Sequence, residues 1–277
     1  MDRQGIPAPA AVGAARQTGT AATGSRSRTP GRPRRTPERI CYTTGAVLVL
    51  SGLAHLLVFA VDGGPWDGPV SWRKPITFGL SFGLTLAAVT WVTSYLTVVA
   101  RLRTVLLVVF AADCVVEVAG ITLQAWRHVP SHLNTETPFD TVVAMTLAVG
   151  GGVLVVVLSA FAATAFRHRP DGPVGMAPAV RSGFAIMIVA LLSGAVMITR
   201  EVVLSRTGHQ QAAYHSTAPL KPLHAVSLHA VLVLPALAWS LSRTAWRDAT
   251  KQRIVRAAVG GYAAAVLGAA VWAALTW

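Results

Sequence analysis

The sequence predicts an all-α fold: a polytopic membrane helix bundle of seven transmembrane helices, with its N-terminus in and its C-terminus out. Three observations carry that expectation. Apolar residues make up 53% of the 277 residues and charged residues only 13%, too few polar groups to cover a water-soluble globule of this size. Beyond residue 40 the apolar residues gather into seven runs, each near the roughly 20 residues that a bilayer core requires. Lys and Arg fall unevenly on alternate connections between those runs, the pattern of the positive-inside rule.

Residues 1–40 hold eight arginines against Asp2 and Glu38, with Thr, Pro, Gly and Ala making up most of the rest. Such a segment buries too little apolar surface to offset the entropy of ordering, so a disordered basic cytoplasmic tail is expected, solvated and setting topology, with attachment to anionic headgroups as the alternative. The net charge of +13 is concentrated in this tail and in short loops, which argues against nucleic acid as a partner and for a lipid bilayer. Arg34-Arg35 is followed by Thr-Pro-Glu-Arg and then by a run of spanning length, so no cleaved export signal is expected.

Residues 41–277 form the seven-helix domain. Its spans are expected at Cys41 to Val61, Pro75 to Ala100, Thr104 to Trp126, Asp140 to Phe166, Ser182 to Leu204, Leu223 to Leu241 and Ile254 to Leu275. With that register, eighteen Lys and Arg lie on the side of the N-terminus and five on the other. The expected location is therefore the cell membrane, multi-pass, with the connections 62–74, 127–139 and 205–222 facing out. Cys41 and Cys114 fall within or beside apolar runs, so they supply neither a disulfide framework nor a zinc ribbon.

Seven of the eight histidines fall in those outer connections or on the outer halves of spans, which places any chemistry there. On the third span Asp113, Glu117, Gly120, Gln124 and Arg127 recur at helical spacing and share one stripe. A carboxylate at the depth of Glu117 costs on the order of 2.5–3.5 kcal/mol, so it should face the bundle interior, either as a proton-carrying or ligand-binding acid or paired to Arg200, Arg73 or Lys74. His55 and His229 lie at similar depth on two spans, the arrangement of axial ligands to a b-type haem. His132 with His224 and Glu117 would instead suit a catalytic zinc, with Glu117 and His132 as the catalytic pair. His224 and His229 are five residues apart and do not share a helix face.

Trp72-Arg73-Lys74-Pro75 opens the second span. Trp at an interface with snorkelling basic residues is ordinary anchoring, yet two adjacent cations on the outer side also suit an anionic ligand. Trp72, Arg73, Lys74, Gln124, Arg127, Asn134 and Asp140 are accordingly the candidate ligand-binding residues. Gly79 and Gly83 form a close-packing pair, Gly150 to Gly152 a second small-residue surface or a break, and Arg200-Glu201 an ion pair near the headgroups. No Walker A, HExxH or G-x-S-x-G sequence is present, and no G-x-G-x-x-G in strand–helix context.

The segments GGPWDGPVSWRKPITFGLSFGLT (63–85), LQAWRHVPSHLNTETPFD (123–140) and LHAVSLHAVLVLP (223–235) resemble a family of uncharacterised actinobacterial multi-span membrane proteins. That resemblance implies a single outer site drawing on Trp72, Arg73, Lys74, His132, Asn134, Asp140, His224 and His229, and it implies no reaction. Seven spans with scattered His, Ser and Asp are also similar to ceramidase-like membrane hydrolases, whose closely spaced terminal His pair this chain lacks. Three functions follow as expectations: a metal- or haem-binding redox protein, a zinc-dependent membrane hydrolase, and a transporter or binding protein for an anionic or amphipathic small molecule.

Overall fold

The computed structural model describes residues 36–277. They form eight helices, α1 (Thr36–Asp62), α2 (Arg73–Val92), α3 (Ala100–Trp126), α4 (Pro138–Arg167), α5 (Met176–Arg206), α6 (Gln210–His215), α7 (Lys221–Ser242) and α8 (Asp248–Thr276), with no strand among the described residues. Seven spans, the short α6 leading into α7 as one of them, are long and apolar enough to cross a membrane. The all-α seven-helix expectation therefore holds. Most of the predicted basic tail lies outside the described residues, and its last five residues correct the prediction. They form the first turn of α1, where Glu38 accepts from Arg103 at 2.5 Å.

The second span is shorter than its apolar run. It leaves the α-helix at Val92, passes through a 3₁₀ turn at Thr93–Tyr95, and is extended at Leu96. Thr90 and Thr93 turn their hydroxyls back onto Leu86 O and Val89 O, while Arg103 Nη2 takes Thr90 O at 2.9 Å. Side chains thus satisfy the carbonyls of the last turn, and the chain is free to reverse into α3. The other helices extend past their apolar runs by polar turns, most clearly α4, where Thr137 caps Asp140 N at 3.1 Å with Pro138 in the first turn.

Packing follows the small residues. A Cβ on Gly83 would lie 2.5 Å from Gly45 O, and one on Gly79 2.8 Å from Gly52 N, so α1 and α2 meet backbone to backbone. Gly183 gives α5 the same closeness to Ala230 of α7. α3 packs on α2, α4 and α1, and α8 lies on α7 and α5. The shared core includes Phe110, Phe161, Phe184, Met187 and Leu234. Leu57, Val61, Val149, Val156, Leu192 and Leu267 are exposed, as lipid-facing side chains should be. Trp72, His128 and the α6 region gather at one end of the bundle, where Gln210 Nε2 donates to Leu133 O at 3.1 Å and His128 meets the Trp72 ring.

Candidate functional site

The helical stripe on α3 is present but does not form one site. At its upper end it becomes a knot around Asp140. Oδ1 accepts from Gln124 Nε2 at 2.9 Å and Arg127 Nη1 at 2.5 Å, and Oδ2 accepts from Thr137 Oγ1 at 2.6 Å. Arg127 also donates to Gln124 Oε1 and lies 4.7 Å from the centre of the Phe139 ring. The buried carboxylate has a charge partner and hydrogen bonds on both oxygens, so these residues join α3 to α4 rather than offer themselves to a ligand.

Lower on the same face the opposite holds. Asp113 is the middle residue of α3, about 20 Å from either end, and Glu117 lies one turn above it. Both are buried, and both face Gly150 of α4. A Cβ on Gly150 would overlap Glu117 Oε1 and come within 2.9 Å of Asp113 Oδ1. Gly150 is therefore the recess that admits two carboxylates, not the close helix contact or break expected of it, while Gly120 packs against Leu147 above. None of the ion pairs among the described residues includes Asp113 or Glu117. Asp113 Oδ2 is buried without a hydrogen-bond partner. Two of the three cations proposed as partners are engaged elsewhere. Arg200 stacks over Trp277 at 4.0 Å, and Arg73 bonds Trp66 O at 3.1 Å and pairs with Asp67 at 3.3 Å.

The histidines separate. His55 Nε2 accepts from Trp126 Nε1 at 3.1 Å and Nδ1 contacts Ser51 O at 2.7 Å. An indole N–H can only donate, so Nδ1 carries the proton and both ring nitrogens are occupied. His55 sits in an aromatic group with Trp72 and Trp126, whose rings lie 5.1 Å apart, and Trp72 Nε1 donates to Asp62 at 2.7 Å. His229 is on α7, which packs on α5, α8 and α2, and its Nδ1 contacts Ala225 O at 2.6 Å. Equal depth did not make these two histidines neighbours, because α1 packs instead on α2 and α3. The residues present do not fit an axial pair for haem. His224 contacts Ala190 O at 2.9 Å beside Ser193, on the α5–α7 seam. Among the described residues no three His, Cys, Asp or Glu side chains converge as a metal site, so His132, His224 and Glu117 do not fit a zinc ligand set either.

A third group lies at the Trp72 end. Lys74, in the first turn of α2, feels Glu201 of α5 and Lys221 of α7, yet forms none of the ion pairs among the described residues. Glu201 instead accepts from Thr217 Oγ1 at 3.1 Å, so the expected Arg200–Glu201 pair is replaced by two separate contacts. His132 is half-buried, packs against Phe78 and meets Ser131 Oγ at 2.9 Å. Burial, and then the nearby Lys74 charge, pull its pKa from 6.5 down to about 3, so the ring is neutral. Asn134 is buried, its Oδ1 accepting from Glu136 N at 3.1 Å and its Nδ2 without a partner. Ser71 Oγ is likewise buried and unpartnered.

The sequence reading missed Ser71, Ser131, Glu201 and Asp62 as site residues, since isolated polar residues near span ends carry no periodic signal. Asp113 and its cradle Gly150 carried one, in the four-residue spacing to Glu117 and in the glycine run. No family model, curated protein or solved structure matches this chain.

Proposed function

We propose that the chain is a multi-pass carrier of the cell membrane that couples a proton, held at Asp113 and Glu117, to a small anionic solute taken at the Trp72 end. The single observation that carries this reading is the acid pair. Two carboxylates occupy the middle of the bundle, neither of them in an ion pair among the described residues, and Asp113 Oδ2 is buried without a hydrogen-bond partner. An uncompensated charge there costs on the order of 2.5–3.5 kcal/mol or more, and a pair of them repels. One proton between them supplies the missing donor: a protonated carboxyl donates to its neighbour and removes one charge. A group that needs a proton to be satisfied, in a recess that a glycine leaves open, is suited to binding and releasing one.

Infrared difference spectra of the protein in lipid, recorded across a pH titration, test this. A protonated-carboxyl band that responds to pH is expected, lost in Glu117→Gln and displaced in Asp113→Asn. Bands identical in the wild type and both near-isosteric variants would overturn the proposal.

A further inference from the structure

Beside Ser71 lies a small, partly open pocket with room for about one water molecule, bordered by Pro69, Ile121 and Val129 and by the polar residues Ser71, Lys74 and Ser131. The polar groups come from the start of α2 and from the segment after α3, so the chain fold brings them together. Their chemistry is one-sided. Lys74 brings an ammonium, which is donor only, and Ser71 brings a buried hydroxyl that no protein group uses. Ser131 Oγ meets His132 Nδ1 at 2.9 Å, and in the Nδ1–H tautomer the ring donates to Oγ and leaves the serine proton to point into the cavity. Three donor-bearing residues then border one pocket. A water placed there accepts from at most two of them and must find acceptors for its own hydrogens, whereas a monatomic anion accepts from all three.

We propose that Lys74, Ser71 and Ser131 bind a small monovalent anion of halide size. The cavity rejects larger anions, since a carboxylate or phosphate exceeds the space of one water. The surrounding charge is mixed: Arg73 and Lys221 add positive potential around Lys74, while Glu201 and the Asp67 paired with Arg73 oppose it. This inference names the solute of the carrier reading, and rests on that reading for its role but not for its geometry.

The test uses the full chain in detergent with gluconate as the only anion, and bromide titrated in at constant ionic strength while the unfolding temperature is followed. Wild type is expected to gain stability saturably with bromide. Lys74→Met should lose the response. Ser71→Ala decides the matter if Lys74→Met fails to fold. It deletes a buried hydroxyl without a partner, so its stability in gluconate should be unchanged or higher, while half-saturation should need about tenfold more bromide, the loss of one hydrogen bond to a charged group.

No bromide response beyond gluconate, or an unaltered response in Ser71→Ala, would overturn the site. A drop in the gluconate stability of Ser71→Ala with no bromide response would mean a structural water only. A pH-sensitive carboxyl band with no bromide response removes the anion site alone. A bromide response without that band removes the proton reading alone.

Discussion

Asp140 and Glu117 stand on the same face of the α3–α4 pair and differ in everything but charge. Asp140 receives Gln124, Arg127 and Thr137, while Glu117 lies beside Asp113 against the bare backbone of Gly150 and in none of the ion pairs among the described residues. Satisfied, a buried carboxylate is structure; unsatisfied, it is a site for whatever ion completes it. His132 carries a residue-scale prediction of its own. Its folded pKa of about 3 lies below the ordinary 6.5, so the unfolded chain binds a proton that the folded chain refuses. Stability from this group is complete above the ordinary value and is lost as pH falls from 6.5 toward 3. Thermal unfolding at a series of pH values should show wild type losing stability through that window and His132→Gln losing less. Equal slopes would contradict the burial of a neutral ring.

Among elements, the α1–α2 pair is the most constrained. Gly45, Gly52, Gly79 and Gly83 bring two backbones into contact, and the atom facing Gly83 is a carbonyl oxygen that has no rotamer in which to retreat. Gly83→Ala gains up to about 1 kcal/mol of helix propensity. A contact of 2.5 Å with Gly45 O must nevertheless be relieved by separating the helices, at an overpacking cost of about 1–3 kcal/mol. The overlap should win, and a lowered unfolding temperature in nanodiscs is the expected result. The same mutation at Gly261 of α8, where a Cβ meets nothing within 4 Å, is the control that should lose none. The α1–α2 contact has a site-level consequence, since it holds Trp72, Arg73 and Lys74 against the end of α1 and the segment after α3.

For the molecule as a whole, the sequence places eighteen Lys and Arg on one side against five on the other, so the expected orientation is N-terminus inside with the Trp72 end, Lys74 and His132 facing out. A reporter that is active only outside the cytoplasm, fused after Trp277, should be active. The same reporter placed in the Arg167–Arg181 connection should be silent, and the reverse pattern would invert the expected orientation. Arg73 and Lys74 are the cations that run against this asymmetry. One pairs with Asp67, and the other is left to its cavity.

The sequence by itself determined the number of spans, the acid stripe on α3 and the glycine pair on α2, because each is written in a local period: the length of an apolar run, or a spacing of three and four residues. It could not determine what faces those stripes. Whether Glu117 meets Arg200 or Gly150, and whether His55 meets His229 or Trp126, depends on which helices become neighbours and how each is rotated, and depth along a helix contains neither quantity. Only the tertiary structure made Asp140 a knot and left Asp113 and Glu117 outside the ion pairs among the described residues. Only it brought Ser131 to the pocket of Ser71 and Lys74, because the packing of segments distant in sequence decides which buried polar groups find a partner and which do not.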